Sequence, residues 1–289
     1  MAGITRFAPS PTGPLHLGHA YSAILSHDRG RAGGGSFLIR FEDIDTARCR
    51  PEWEVSILDD LAWLGLTWDA PPLRQSARKH LYQDALQTLW TRGLIYRCTC
   101  SRADIEAALG APQEGAPRPT GPDGTIYPGT CRNRPGRGDG CCPTDAHLRL
   151  DMQRALACAD PDGRGIAFVD SGPGHEGTHR TRPETYCRNI GDVVLARRDF
   201  GTSYHLSVVL DDAEQAITEV VRGEDLFEAT RIHALLQRLF DLPQPTYHHH
   251  VLIRDEAGKR LAKRDNARAI GTYRAQGATP ADIRRLVGL

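Results

Sequence analysis

Apolar residues recur at helical spacing in three segments of the N-terminal half of the chain. After a strand-like apolar run at residues 4–8, they repeat with a period of about 3.6 residues from position 15 onward. Residues 51–65 begin with proline, end with glycine and repeat isoleucine and leucine on one face. Residues 76–93 carry a similar repeat between a serine and a glycine. These segments predict three helices after a first strand.

Short runs rich in β-branched residues alternate with the helical segments. They predict strands at residues 36–41, 192–196, 207–210 and 216–221. Near the end of the chain, Thr279 followed by a proline predicts one more helix start. Strands that alternate with helices are typical of an α/β domain with a mainly parallel sheet. The pattern therefore predicts the α/β fold class.

Two stretches depart from this alternation. Residues 110–146 are crowded with glycine and proline, and they predict a small inserted module with a loop and not more of the sheet. Three consecutive histidines at 248–250 precede the strand-like residues 251–253. Because neighbouring side chains of a strand point to opposite faces, we assign no metal to these histidines.

Composition excludes some classes of protein. The chain has 289 residues with 36 basic and 36 acidic side chains, so a nucleic acid would have to meet a local basic patch. No apolar run approaches the roughly 20 residues of a transmembrane helix, and the first ten residues lack the pattern of a signal peptide. A soluble, cytoplasmic protein is expected, with its eight cysteines reduced. Any cysteine cluster then favours a metal site over a disulfide framework.

The stretch RFAPSPTGPLHLGH at residues 6–19 joins the first strand to the first helix. Its prolines and glycine cannot continue a strand or lie inside a helix, so they predict a stiff turn. The helix N-terminus that follows presents free N–H groups and a positive dipole end, which favour an anion. His16 and His19 share one face of this helix, and Gly18 leaves room for a flat ring. The alternative is a capping loop with two partly buried histidines.

A second cluster, GKRLAKRD at residues 258–265, places four cations in a glycine-flanked loop. They are Lys259, Arg260, Lys263 and Arg264. Most such runs are solvated basic turns. Paired with an anion-binding helix start, however, the cluster indicates a polyphosphate clamp.

The two stretches together resemble the two signatures of class I aminoacyl-tRNA synthetases, in the glutamyl branch of that family. HLGH at residues 16–19 resembles the first signature, and RLAKR at residues 260–264 is similar to the lysine-rich second one. Arg260 stands where lysine is usual and Ala262 where serine is usual, whereas Lys263 is retained.

The resemblance implies a Rossmann-like class I catalytic domain that binds ATP with Mg²⁺. It implies ATP contacts from His16, Gly18, His19 and Lys263, and a catalytic role for His16, His19 and Lys263. An amino-acid carboxylate is ionised at neutral pH because its pKa is low, so its attack on the α-phosphate of ATP needs no general base. The reaction needs positioning and cations around the phosphoryl oxygens, which these side chains supply.

Three more segments are similar to the family: FLIRFEDIDTAR at 37–48, SYHLSVVLDD at 203–212 and EVVRGEDL at 219–226. Glutamate carries one ammonium and two carboxylate groups, so its pocket should contain one acid and two bases. The resemblance implies a glutamate site made of Arg6, Ala8, Ser10, Glu42, Tyr204 and Arg222.

Within that site, Glu42 and Ser10 would bind the ammonium group of glutamate. Arg6 with Tyr204 would bind one carboxylate and Arg222 the other, and the sequence leaves open which arginine binds which end. A surface ion pair of Glu42 and Arg222 at strand ends is the alternative.

Cys98 and Cys100 form a CxC pair, and Cys131 follows about thirty residues later. Such a set suggests a structural Zn²⁺ held by thiolates, although three unrelated reduced cysteines would give the same pattern. The glutamyl-queuosine branch of the family carries this pattern with a tyrosine as fourth ligand. The resemblance therefore implies one structural Zn²⁺ per chain, with Tyr127 as the fourth ligand and the cysteines at 141–142 as competitors for that position.

The resemblance also divides the chain. It implies residues 1–96 as the first half of the catalytic domain, 97–186 as an inserted zinc-binding module, 187–265 as the second half with the lysine-rich loop, and 266–289 as a short helical C-terminus.

The end of the chain suggests a particular branch of the family. Only about 25 residues follow Arg264, whereas full glutamyl-tRNA synthetases continue into a large anticodon-binding region, which we do not expect here. The resemblance, over about residues 4–288, is to the branch that activates L-glutamate without tRNA and attaches it to queuosine in the anticodon of tRNA(Asp). The alternatives are a truncated glutamyl-tRNA synthetase that charges a tRNA 3′ end and a non-catalytic RNA-binding paralogue.

Overall fold

The computed structural model describes residues 3–110, 119–254 and 268–289. The strands in these ranges are β1 (Ile4–Phe7), β2 (Ser36–Phe41), β3 (Leu73–Arg74), β4 (Ile95–Cys98), β5 (Thr120–Gly121), β6 (Gly124–Thr125), β7 (His147–Leu150), β8 (Ile166–Asp170), β9 (Gly177–Thr181), β10 (Val194–Ala196), β11 (Glu219–Gly223) and β12 (Thr246–His250). The α-helices are α1 (Leu17–Ala32), α2 (Pro51–Trp63), α3 (Lys79–Thr91), α4 (Arg102–Ala108), α5 (Met152–Ala159), α6 (Pro183–Asn189), α7 (Tyr204–Glu214), α8 (Thr230–Leu239), α9 (Ile270–Ala275) and α10 (Pro280–Val287).

Two mainly parallel sheets meet edge to edge in the main α/β body. Strands β1, β2 and β3 pair in parallel, and β11, β12 and β8 form a second parallel set with β9 antiparallel at its edge. Strand β1 lies beside β11, where the Thr218 amide donates to the Ile4 carbonyl at 3.0 Å. The carboxyl ends of β1 and β11 are therefore neighbours, which is where open α/β sheets bind their ligands.

The turn after α1 approaches the backbone just before β1 so closely that it requires glycine at position 35. The Gly35 Cα lies so near the Gly3 backbone that an added Cβ would be 1.9 Å from the Gly3 carbonyl oxygen. Ser36 then starts β2 by donating its amide to the same carbonyl at 2.9 Å. A side chain at position 35 would force the two strands apart.

A separate antiparallel sheet is formed by strands that alternate along the chain with strands of the main body. Strand β7 pairs with β4 on one side and β10 on the other, and β5 and β6 form a two-residue hairpin nearby. Strands β8 and β9 fall inside the range 97–186 predicted for the insertion, yet they pair with β12 in the main body. The division of the chain into domains stays a prediction.

Most of the predicted elements are present. Strand β2 has the predicted bounds, and β1, β10 and β11 lie within two or three residues of theirs. Helices α2 and α3 occupy the predicted segments, although a 3₁₀ turn at Gln75–Arg78 precedes α3. Thr279 caps α10 by accepting the Asp282 amide at 3.2 Å.

The strand predicted at residues 207–210 is wrong, because these residues lie in α7. Ser203 caps this helix, since its hydroxyl accepts the Leu206 amide at 3.4 Å. Val208 and Val209 are buried in the core, and β-branched residues tolerate either structure when burial decides.

The expected strand at residues 251–253 is also wrong, because the histidines 248–250 themselves form the end of β12 and residues 251–253 have no regular structure. In the parts of the chain that the structure describes, none of the helices combines the length and apolar character needed to cross a bilayer.

Candidate active site

A cavity of about 610 Å³ opens at the neighbouring carboxyl ends of β1 and β11. The residues predicted for the glutamate and ATP sites that line it are Arg6, Ala8, Ser10, His16, Gly18, His19, Glu42, Tyr204 and Arg222. The predicted Lys263, with the rest of the lysine-rich signature, lies outside the described residues. The structure thus brings together on one cavity every other residue predicted for these two sites.

The two histidines at the start of α1 cap the helix with their rings. The Gly18 amide donates to His16 Nδ1 at 3.1 Å, and the His16 amide donates to His19 Nδ1 at 3.2 Å. The two ring centroids are 3.7 Å apart. Because each Nδ1 accepts a hydrogen bond, each neutral ring carries its proton on Nε2. The cap therefore fixes both rings as Nε2–H donors, which suit an anionic ligand.

Gly18 is required by this cap. A Cβ at position 18 would lie 3.1 Å from Cε1 of the His16 ring, closer than side chains normally approach. Gly18 also lines the cavity, and the space predicted there for a flat ring stays a prediction.

Arg6 on β1 and Arg40 on β2 both donate to one carboxylate, that of Asp212 on α7. Nε and Nη2 of Arg6 lie 2.9 and 3.3 Å from its two oxygens, and Nη1 of Arg40 lies 2.6 Å from Oδ1. Arg40 is fully buried and also donates to Glu42 Oε1 at 3.4 Å. This ion network, Arg6–Asp212–Arg40–Glu42, fixes two strands and a helix relative to each other.

The two carboxyl groups of the ion network are shifted in opposite directions. Burial by itself would raise the pKa of Asp212, but the charges of Arg40 and Arg6 outweigh burial and lower this pKa to about 2. Burial raises the pKa of Glu42 despite the opposing charges of Arg40 and Arg6. On acidification Glu42 therefore takes up a proton before Asp212 does.

Arg222 on β11 has a different environment from that of Arg6. Its guanidinium donates to His249 Nε2 at 3.1 Å, to His233 Nδ1 at 3.1 Å and to Thr230 Oγ1 at 2.7 Å. Its Cζ also lies 5.3 Å from the centre of the Tyr247 ring. Among the described residues, no carboxylate forms an ion pair with Arg222, so its positive charge is available to an anion in the cavity.

Tyr204, the first residue of α7, lies on the same cavity as Arg222. Burial raises the pKa of its hydroxyl, which therefore stays protonated and able to donate a hydrogen bond at neutral pH.

The three predicted zinc-binding cysteines meet at the end of β4, away from this cavity. The Sγ atoms of Cys98, Cys100 and Cys131 lie within 4.8 Å of one another. The Tyr127 hydroxyl is 3.5 Å from Cys98 Sγ and 3.3 Å from Cys100 Sγ. Zn–S bonds of about 2.3 Å in a tetrahedron place sulfur atoms about 3.8 Å apart, so these residues could hold the metal.

Sequence reasoning missed four residues that hold the predicted ones in place: Arg40, Asp212, His233 and His249. Asp212 and Arg40 lie inside segments that carried the family resemblance. A buried arginine needs a buried acid, so the two aspartates of LDD at 210–212 were an available signal. The contacts of His233 and His249 join α8 and β12 to β11, and nothing in their local sequence indicates this partner.

The family model of class I tRNA synthetases (E and Q), catalytic domain, matches residues 4–133 and 177–289. These ranges make up more than half of the chain. The chain therefore belongs to this family and is an enzyme of the ligase type. The match confirms the class I α/β catalytic fold that the sequence predicts.

Similar proteins are known from several bacteria. The glutamyl-Q tRNA(Asp) synthetase of Rhodobacter capsulatus is 65% identical over 99% of this chain and 100% of its own length. A protein of the same name from Albidiferax ferrireducens is 40% identical over 93% of this chain and 87% of its own length. The crystal structure of a glutamate tRNA ligase from Elizabethkingia meningosepticum, in complex with its amino acid, has 27% identity and a TM-score of 0.76. It matches 99% of this chain, which spans only 60% of that longer chain.

The ion network predicts a large effect of Asp212→Asn on stability. Removal of this charge leaves Arg6 without an ion-pair partner among the described residues and leaves Arg40 only its longer contacts with Glu42 and Asp211. We therefore expect the free energy of unfolding in urea to fall by about 3–5 kcal/mol. Because the folded pKa of Asp212 is lowered to about 2, its contribution is present above the ordinary carboxyl pKa and is lost as pH falls toward about 2. The free energy of unfolding of Asp212→Asn should therefore not show the part of the decrease on acidification that comes from protonation of Asp212.

Asp145→Asn is the matched control. Its exposed pair with Arg97 should contribute less than about 1 kcal/mol. Equal stability losses in the two variants would contradict the role given to Asp212.

Proposed function

We propose that this chain activates L-glutamate with ATP in the absence of tRNA and transfers the glutamyl group to queuosine in the anticodon of tRNA(Asp). The observation that carries the proposal is the one cavity on which an acid, two arginines and two capping histidines lie together. The relatives named glutamyl-Q tRNA(Asp) synthetase, at 65% and 40% identity, support the choice of amino acid and acceptor.

The charges around the cavity match those of glutamate. We assign the ammonium group to the Glu42 carboxylate and the Ser10 hydroxyl. Arg222 has no anionic partner among the described residues, whereas Arg6 already shares its charge with Asp212. The stronger carboxylate contact is therefore given to Arg222, and the weaker one to Arg6 with the Tyr204 hydroxyl.

The activation step is an attack by the α-carboxylate of glutamate on the α-phosphorus of ATP. A C–O–P linkage forms, and the bond between the α-phosphorus and the bridging oxygen breaks with release of pyrophosphate. The Nε2–H groups of His16 and His19 donate to phosphate oxygens as charge develops there. Lys263 is proposed as a further cation, and Mg²⁺ bound with ATP supplies charge neutralisation.

The transfer step uses a hydroxyl of the cyclopentene diol of queuosine. Its oxygen attacks the glutamyl carbonyl, an ester forms, AMP leaves, and the hydroxyl proton passes to the released phosphate. A second cavity, of about 340 Å³, shares Ser10, Glu42 and Tyr204 with the first, and Arg197 and Phe200 also line it. An aromatic ring for stacking and a cation for phosphate are suited to a base splayed out of an anticodon loop.

We also propose that the cysteine cluster holds one structural Zn²⁺, with Tyr127 as fourth ligand. The distances between the sulfur atoms and the tyrosine hydroxyl support this ligand set. Because all four positions would be taken by protein atoms, the metal would stabilise the fold around β4 and take no part in the activation chemistry.

Metal analysis should find about one zinc per chain in the purified protein. Cys98→Ser should lose most of this zinc because thiolates are the preferred ligands. A chelator should lower the melting temperature of the wild-type protein and leave that of the variant unchanged. Cys141→Ser is the control, since this exposed neighbour lies outside the cluster and should keep its zinc. Undiminished zinc in Cys98→Ser would contradict the assignment.

The raised pKa of Glu42 predicts a pH dependence of glutamate binding. Only the ionised carboxylate attracts the ammonium group, so the KM for glutamate should rise on acidification, and this rise should begin at a higher pH than an ordinary carboxyl would require. Glu42→Gln should raise the KM at least about 30-fold at neutral pH and remove most of this dependence. The same pH dependence in the variant and in the wild type would rule out Glu42 as its source.

The proposed function predicts two separable activities. Labelled pyrophosphate should exchange into ATP when L-glutamate is present and no tRNA is added. Labelled glutamate should then become attached to tRNA(Asp) that carries queuosine, but not to the same tRNA with guanosine at that position. Removal of the 3′-terminal adenosine should leave this attachment unchanged, because the acceptor hydroxyl is in the anticodon.

Each alternative gives a different result. Attachment that is lost with the 3′-terminal adenosine would establish a truncated synthetase that charges the acceptor end. Binding of tRNA without any glutamate-dependent exchange would establish a non-catalytic RNA-binding paralogue.

A further inference from the structure

Neutral side chains hold Arg222 in place, and their hydrogen bonds continue to residues that do not line the cavity. A guanidinium can only donate hydrogen bonds, so Nδ1 of His233, 3.1 Å from Nη1 of Arg222, must be the acceptor. The proton of the neutral His233 ring is then on Nε2. That nitrogen lies 3.1 Å from Nδ1 of His205 and donates to it. The arginine thus determines the tautomer of the next histidine as well.

The chain of donors ends on a carboxylate. Because Nδ1 of His205 accepts, its proton is on Nε2, which lies 3.4 Å from Oδ1 of Asp123. Although burial opposes it, the hydrogen bond from His205 lowers the pKa of Asp123. The sequence Arg222–His233–His205–Asp123, which we call the histidine relay, therefore has a single consistent direction of donation.

A second, shorter branch holds the other edge of the guanidinium. Nε of Arg222 donates to Nε2 of His249, whose Nδ1–H donates to Asp170. Burial and the charge of Arg222 lower the pKa of His249 to about 4, and the same two causes lower the pKa of His233. Both rings are therefore neutral at neutral pH and do not repel Arg222.

The histidine relay joins four separate parts of the chain. Arg222 is on β11, His233 on α8 and His205 in the first turn of α7, next to Tyr204. Asp123 is at the tip of the β5–β6 hairpin, in the range predicted for the inserted module. An added Cβ on Gly121 in the same hairpin would lie 2.4 Å from the Asn189 carbonyl oxygen, so the hairpin is packed closely against the C-terminal end of α6.

We propose that Asp123 is a positioning residue for Arg222. Through His205 and His233, it fixes the rotation of the guanidinium and so the geometry with which Arg222 meets a carboxylate of glutamate. The inserted module thereby contributes to glutamate affinity from outside the glutamate cavity. This inference rests on the proposed activation of glutamate.

The test compares Asp123→Ala with Asp123→Asn and with the control Asp145→Ala, which removes an exposed aspartate of the same module. In pyrophosphate exchange, Asp123→Ala should raise the KM for glutamate about 3- to 10-fold, with kcat and the KM for ATP within about twofold of the wild type. Asp123→Asn keeps an acceptor oxygen for His205 and should restore most of the affinity. The control should behave as the wild type.

Nitrogen-15 spectra of histidine-labelled protein provide a readout of the relay itself. In the wild type, Nδ1 of both His205 and His233 should be without a proton, and Nε2 of each ring should carry one. In Asp123→Ala, His205 should become a mixture of tautomers, whereas the spectrum of the control should not change.

Three results would be decisive against parts of the proposal. If the wild-type protein is active and Asp123→Ala has the same KM for glutamate, this inference alone would be overturned. A proton on Nδ1 of His233 in the wild type would overturn it as well, whatever the kinetics. Absence of glutamate-dependent exchange in the wild type would instead overturn the proposed function on which the inference rests.

Discussion

The shared carboxylate of Asp212 is the interaction on which the cavity depends. It draws together Arg6 on β1 and Arg40 on β2 from a position on α7, so the ends of two strands and one helix are held at fixed separations. Buried cations without such a partner would be too costly, because burial penalises an unpaired charge by several kcal/mol. Glu42 takes its place next to Arg40 and reaches the cavity from there. The geometry of the cavity, and of the glutamate site proposed in it, therefore follows from an ion pair that lies behind it.

The two arginines of the cavity are buried by different means, and this difference determines what each can do. Arg6 is neutralised by an aspartate, so only part of its field reaches the cavity. Arg222 donates hydrogen bonds to imidazole nitrogens and a threonine hydroxyl, and it lies over the face of an aromatic ring. None of these groups carries a negative charge, so the positive charge of Arg222 is not neutralised by them. A buried cation of this second kind remains in need of an anion, and a substrate carboxylate supplies one. This charge is the reason why Arg222 is given the stronger carboxylate contact in the proposed glutamate site.

Local sequence signals were sufficient for much of the fold and for the identity of the cavity residues. Periodicity and capping residues gave β2, α2 and α10, and family motifs gave the site residues that line the cavity. The strand expected at residues 207–210 was wrong because the prediction gave more weight to two valines than to the helix cap at Ser203. Burial decides between helix and strand here, and burial is a property of the tertiary structure. The partners of Arg222 could not be predicted for the same reason. His233 and His249 are separated from it by 11 and 27 positions, and only the packing of α8 and β12 on β11 brings them together.

The start of α1 shows how one local arrangement can serve folding and binding together. The rings of His16 and His19 satisfy amides at the helix N-terminus, which would otherwise need water or a ligand. Because each ring accepts a hydrogen bond at Nδ1 in the cap, the proton of the neutral ring is on Nε2, and the helix dipole favours an anion at this end of the helix. Replacement of either histidine would therefore change the cap and the proposed phosphate contacts at once. Effects on activity measured after substitution of His16 or His19 should therefore be interpreted together with helix stability. Substitutions of Asp123 avoid this overlap, because Asp123 contacts neither the cap nor the cavity in which phosphate is proposed to bind.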